Sequence, residues 1–221
     1  TGAISARRNW SLWGNPGAPA QPLGNAMAPA NWDAPVVISS HDTRTIYTGT
    51  NILWKSTDRG DNWTALGDRT TGIDRRTLPI MGAMPTQATR SLDDGTPYWP
   101  AVSAIAESPM RRGVLWVGTD DGNVQRSIDD GATWTELAAR LPGLPRGAWI
   151  NGIEASRHSG ARAYVVANNY RNGDNANYVY RTDYDGRTFT RIDGGLPAAR
   201  VARTLREDLV NGDLLFLGTE L

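Results

Sequence analysis

The chain has 221 residues, 23 basic and 23 acidic side chains, two histidines and no cysteine. A net charge of zero without a basic stripe removes the electrostatic basis for nucleic-acid binding. The lack of cysteine excludes disulfides and cysteine-ligated metals, and no apolar run approaches the roughly 20 residues of a membrane-spanning helix.

Taken in chain order, residues 1–34 form a stretch rich in Ala, Pro, Gly and Asn that also carries Trp10, Trp13 and Trp32. Its few aliphatic residues predict an irregular arm without a core of its own. Its tryptophans predict that the arm lies against a surface. From residue 35 onward the sequence repeats. Four units cover residues 35–66, 102–137, 150–192 and 201–221, with an insertion over 67–101. Each unit opens on an apolar stretch such as Val36-Val37-Ile38 or Val102-Ser103-Ala104-Ile105. A second apolar stretch follows, as in Leu115-Trp116-Val117-Gly118-Thr119 and Leu215-Phe216-Leu217-Gly218-Thr219. A third stretch ends on Ser56, Ser127 or Arg181, and a short fourth begins at Trp63, Trp134 or Phe189. These segments are β-branched and aromatic, separated by Gly, Asn and Asp, which predicts strands joined by tight turns. Four short strands in about 40 residues are the pattern of a β-propeller blade. The predicted fold is therefore all-β, a partial propeller of about three and a half blades. The one helical turn expected is near Leu137–Leu141.

The turn before the fourth strand carries the strongest repeat. Ser56, Asp58, Gly60 and Trp63 recur as Ser127, Asp129, Gly131 and Trp134 at the same offsets. The aspartate can accept from backbone N–H groups, as in an Asx turn. Glycine supplies a positive φ, and the tryptophan can pack beneath the turn. A third copy uses Thr182, Gly186 and Phe189. Its aspartate position falls on Tyr184 when aligned by the glycine, or on Asp183 with one residue too many, so a looser turn is expected. Because these groups satisfy one another locally, a structural role is expected for the turn residues.

These turns match the Asp-box, or BNR repeat, of sialidases, xyloglucanase-like glycosidases and sortilin. The blade openings Asn31-Trp32-Asp33-Ala34-Pro35-Val36-Val37-Ile38 and Ala104-Ile105-Ala106-Glu107-Ser108-Pro109 resemble those of bacterial BNR-repeat, sortilin-N-terminal-like proteins. Over Asn31–Leu221 the chain is similar to that family, whose members usually run on into a further strand and Asp-box. An unclosed set of blades has unpaired strand edges, so the chain is expected to belong to a longer polypeptide or to be completed by other protein subunits. Photosystem assembly factors of this kind imply an extrinsic, extracytoplasmic subunit docked on a membrane-bound, photosynthetic complex.

The catalytic alternatives meet obstacles in the sequence. The carboxylate pairs Asp93-Asp94, Asp120-Asp121 and Asp129-Asp130 adjoin glycines in predicted turns, and no sialidase Arg-Ile-Pro element is present. His41 and His158 occupy equivalent turns of two units and lack a third ligand for a metal. Asn172-Gly173-Asp174-Asn175 lacks the further acidic positions of a Ca²⁺ loop. No catalytic set, metal or cofactor is assigned. Trp10, Trp13, Trp32, Trp99 and Trp149 are placed in loops or the arm as candidate contacts to a protein partner, with a glycan as the alternative ligand. The reading is a non-catalytic interaction scaffold. A secreted BNR-repeat glycoside hydrolase fragment or a carbohydrate-binding propeller is the alternative.

Overall fold

The computed structural model describes residues 30–31, 33–92, 98–197 and 200–220. Trp10, Trp13, Trp32, Asp93 and Asp94 lie outside them. Three four-stranded antiparallel meanders and one two-stranded hairpin follow one another along the chain. Blade 1 holds β1 (Val36–Ile38), β2 (Ile46–Gly49), β3 (Ile52–Ser56) and β4 (Thr64–Asp68). Blade 2 holds β5 (Val102–Glu107), β6 (Leu115–Thr119), β7 (Val124–Ser127) and β8 (Thr135–Glu136). Blade 3 holds β9 (Trp149–Ala155), β10 (Ala163–Asn169), β11 (Asp174–Thr182) and β12 (Thr190–Arg191). The hairpin of β13 (Ala202–Glu207) and β14 (Leu215–Thr219) matches the first half of a blade.

Two boundaries move. β4 runs to Asp68, into the stretch assigned to the insertion. Trp149 begins β9 instead of lying in a loop, where it pairs with Asn168. Short 3₁₀ turns occur at Ala138–Arg140, as expected near Leu137–Leu141, and also at Arg75–Thr77 and Tyr170–Asn172.

The period-2 alternation of each strand sends its two faces to two neighbours. In β6, Leu115 and Val117 pack toward blade 1 with Tyr47 and Leu53. Trp116 packs toward blade 3 with Ile150, Val165 and Tyr180. In β10 the division repeats, with Val165 facing blade 2 and Tyr164 and Val166 facing Ala202 and Leu205 of the hairpin. The core is therefore a set of sheet-on-sheet interfaces. The innermost strands of blades 2 and 3 and of the hairpin each bulge at one residue, Ser103, Asn151 and Arg203. A bulge strengthens the local twist.

The registers place Tyr47, Trp116, Tyr164 and Phe216 at one repeat position, opposite Val37, Ala106, Glu154 and Arg206. The first three are 1%, 2% and 1% exposed beneath the following blade, whereas Phe216 is 57% exposed. On the opposite side, Val36 of β1 occupies the position of buried Ile105, Ile153 and Leu205, and is itself exposed.

Candidate functional site

The turns between third and fourth strands are built from their own side chains. Ser56 donates its hydroxyl to Asp58 at 2.8 Å and accepts from Gly60 N at 2.8 Å. Asp58 accepts from Asn62 N at 2.8 Å, and the Trp63 indole N–H donates to the Gly60 carbonyl at 3.1 Å. The second turn repeats each contact: Ser127 to Asp129 at 2.8 Å, Gly131 N to Ser127 at 2.8 Å, Thr133 N to Asp129 at 2.8 Å and Trp134 to Gly131 O at 2.9 Å. Arg59 and Asp130 share the left-handed region with the following Gly60 and Gly131. Donors from Asn62, followed by Ser56, hold the Asp58 carboxyl at about 2. Donors from Thr133, followed by Ser127, do the same for Asp129.

The third turn keeps the backbone path. Thr182 accepts from Gly186 N at 3.0 Å, and Asp185 and Gly186 are both left-handed. The aspartate position holds Tyr184, whose N–H bonds Thr182 at 3.2 Å and whose side chain is exposed. Asp183, grouped with the turn residues from the sequence, stands outside this network and pairs with Arg162 and Arg181. The turn is therefore not opened as a whole; it lacks the carboxylate contacts. Phe189 is buried in place of the tryptophans but has no N–H to give Gly186.

The second and third turns also join blades. A Cβ on Gly131 would lie 2.7 Å from Leu66 of blade 1, and one on Gly186 would lie 2.8 Å from Leu137 of blade 2. Lys55 of blade 1 pairs with Asp130 of blade 2. Arg126 of blade 2, at the same repeat position one blade later, pairs with Asp185 of blade 3 at 2.9 Å. Sequence reasoning missed this ladder. Its signal is a basic residue directly before the Ser of one turn and an acidic residue directly before the Gly of the next. At the same end of the blades, His41 Nε2 lies 2.8 Å from the Ser108 carbonyl and His158 Nε2 lies 2.8 Å from the Asp208 carbonyl. The two histidines are thus separate inter-blade clasps.

At the other end of the blades a closing backbone bond repeats, Asp120 N to Ala101 O at 3.0 Å and Glu220 N to Val201 O at 2.9 Å, but the carboxylate contacts of blade 2 are its own. Asp120 is fully buried, accepting from Ala101 N at 2.7 Å and from the Asn31 amide at 3.2 Å. Burial pushes its carboxyl up to about 7 against those donors, with Asp121 adding to the rise. Asp121 accepts from Thr71 N and Oγ1 at 2.7 and 2.6 Å and from Thr119 Oγ1 at 2.5 Å. It thereby ties down the segment between β4 and β5. That segment crosses to blade 3. Leu78 is buried against Gly147, and Arg75 donates to Asn172 at 3.0 Å.

The candidate tryptophans lie here with one ring face each beneath a guanidinium. Arg75 stands 5.6 Å from the Trp99 ring, and Arg171 stands 4.0 Å from that of Trp149. Trp99 further donates its N–H to Ile73 O at 3.0 Å. Asp174 accepts from Asn169, Ala176 N and Tyr178, and no cluster of three acidic or histidine side chains suited to a metal occurs among the described residues.

No protein-family model matches the sequence, and no curated protein matches it as a relative. Solved structures do match. The GH74 xyloglucanase from Xanthomonas campestris superposes with a TM-score of 0.53 and 16% identity, over 83% of this chain and 26% of its own. The GH74 enzyme of Niastella koreensis gives 0.47 and 18%, over 72% and 21%, respectively. YCF48 bound to a D1 peptide gives 0.45 and 16%, over 80% and 46%. The chain thus spans about a quarter of the xyloglucanase that it matches. At these identities the likeness carries architecture and no chemistry. With the blade topology, it establishes that this chain forms part of a β-propeller.

Proposed function

We propose that this chain is a non-catalytic interaction scaffold, a BNR/Asp-box repeat propeller of the sortilin-N-terminal-like type. It serves outside the cytoplasm as an extrinsic subunit of a larger, membrane-bound complex. The observation that supports this reading is the engagement of its carboxylates. Asp58 and Asp129 hold turn backbone, Asp120 holds Ala101 and Asn31, and Asp121 holds Thr71. Glycoside hydrolysis needs an acid and a second carboxylate flanking an open substrate path, and these four are occupied within the fold.

The test is cross-linking and affinity purification of the tagged, full-length protein from its own host. A stoichiometric protein partner is expected. A monodisperse monomer that carries no partner overturns the scaffold. Release of reducing sugar from xyloglucan, abolished by changing a carboxylate outside the turns, would replace it with the hydrolase reading.

A further inference from the structure

An asparagine amide is most open to attack by the main chain when glycine follows it, because glycine has no side chain to shield its N–H or restrict its backbone. The chain holds three such steps, Asn151-Gly152, Asn172-Gly173 and Asn211-Gly212. Ring closure needs an asparagine amide that is not held, a glycine N–H that is not spent and a backbone free to turn. The three steps differ in these respects.

Asn151 is the bulged residue of β9, and its amide oxygen accepts from buried Asn168. Gly152 follows inside the strand, where the ladder with Val166 fixes the backbone. Asn172 is held at both ends of its amide. Arg75 donates to its Oδ1 at 3.0 Å, and its Nδ2 donates to Asn169 Oδ1 at 2.6 Å and to Gly147 O at 3.4 Å. Gly173 N is spent on Tyr170 O at 2.8 Å. A hairpin between β4 and β5, in which Ile80 and Ala83 bridge each other, clamps this turn from outside. Its Met81 N donates to the Arg171 carbonyl at 2.8 Å, and a Cβ on Gly173 would come within 2.4 Å of Gly82 N.

Asn211 lies in the turn between β13 and β14 and is exposed. Neither its Nδ2 nor the Gly212 N–H has a hydrogen-bond partner among the described residues. The one contact of the amide assists attack. Asp213 N donates to Asn211 Oδ1 at 3.0 Å, where negative charge gathers as the amide carbon becomes tetrahedral.

We propose that Asn211 is a site of self-modification, at which the main chain converts the asparagine to aspartate and isoaspartate. Gly212 N forms a bond to Asn211 Cγ and closes a succinimide ring. Nδ2 leaves as ammonia, taking the proton from Gly212 N. Water then opens the ring, at Cγ to give aspartate or at the Asn211 main-chain carbonyl to give isoaspartate. Isoaspartate routes the main chain through Cβ and Cγ and lengthens it where the hairpin is clasped to blade 3. There Arg162 donates to Gly212 O at 3.2 Å, and a Cβ on Gly212 would lie 2.9 Å from the His158 ring. The isoaspartate product therefore loosens the hairpin from blade 3, whereas aspartate leaves the main chain unchanged. This chemistry goes beyond the scaffold reading and does not depend on it.

The test is incubation of the whole purified chain at mildly alkaline pH, followed by peptide mapping in a mass spectrometer and enzymatic methyl labelling of isoaspartate. Conversion is expected at Asn211, with Asn151 and Asn172 intact over the same interval. Asn211→Gln, whose longer side chain cannot close the same ring, should lose the signal. The aged wild type should exchange its Leu214 N–H, bonded to Asn211 O at 3.0 Å, faster than Asn211→Asp does. An Asn211 that stays intact while a free peptide of residues 208–214 converts overturns the site. Conversion of Asn151 or Asn172 at the same rate overturns its assignment from geometry, and equal Leu214 exchange in the two forms overturns the loosening.

Discussion

At one end of β7, Asp129 accepts from Ser127 and Thr133 within its own turn, and its carboxyl stays charged down to about pH 2. Just before the other end of the strand, Asp120 is buried against Ala101 and Asn31, and its carboxyl takes up a proton near pH 7. The difference lies in where each finds its partners. The Asp129 turn is complete within eight residues, so it can be copied from blade to blade. The Asp120 turn depends on a residue of the N-terminal segment and lies beside a chain crossing from blade 1, so it is particular to its place. Side-chain repetition marks the end of the blades that carries the turns, and at the other end the carboxylates make individual contacts.

The largest expected effect concerns pH. Between about pH 4 and 7 native Asp120 keeps a proton that the unfolded chain has lost, so stability falls as pH rises through that window. At its steepest the loss approaches about 1.4 kcal/mol per pH unit. Asp120→Asn should remove this slope in urea unfolding measured at successive pH values, and parallel profiles would break the contrast. Next, Gly131→Ala should cost about 2–4 kcal/mol, because it forces a side chain into the left-handed region and against Leu66. Gly82→Ala, with the same backbone sign but nothing within 4 Å, should cost about 1–2 kcal/mol. Equal losses at the two glycines would show that the blade contact adds nothing.

Asp58 and Asp129 act on the acid side. Their lowered values contribute stability above about pH 4 that is lost as pH falls toward 2. Asp129→Asn should flatten that acid limb without changing the neutral one. The smallest effect is a gain. Tyr184→Asn would return an acceptor to the third turn without a third carboxylate beside Asp183 and Asp185, and should raise stability by about 0.5–1 kcal/mol in thermal unfolding. No change there would mean that the aspartate position contributes nothing beyond the backbone turn.

Blade count, strand order and the turn were legible because they recur: two copies at fixed offsets separate Ser, Asp, Gly and Trp from the variable residues between them. The third turn's path was not, since Thr182 and Gly186 preserve it without the carboxylate. The ion pairs of Lys55 and Arg126 were hidden because each partner lies one blade on, and only the stacking order brings them together. Trp149 read as a loop residue because its strand begins directly on it, after a Gly-Pro-rich connection. The Met81 hairpin has no second copy for comparison, and nothing in Ile80-Met81-Gly82-Ala83 announces that Gly173 of a distant blade holds it.

The ion-pair ladder also has a polarity. Lys55, Arg126 and Arg181 each directly precede the Ser or Thr that opens a turn, while Asp130 and Asp185 occupy the matching position of the turn that follows on the next blade. In blade 1 that position holds Arg59. A third strand with a cation at this position, set ahead of blade 1 as β3 is set ahead of blade 2, would therefore meet Arg59 in place of a carboxylate. Like charge at that single position sets the outer edge of blade 1 apart from the two interfaces that the ladder joins.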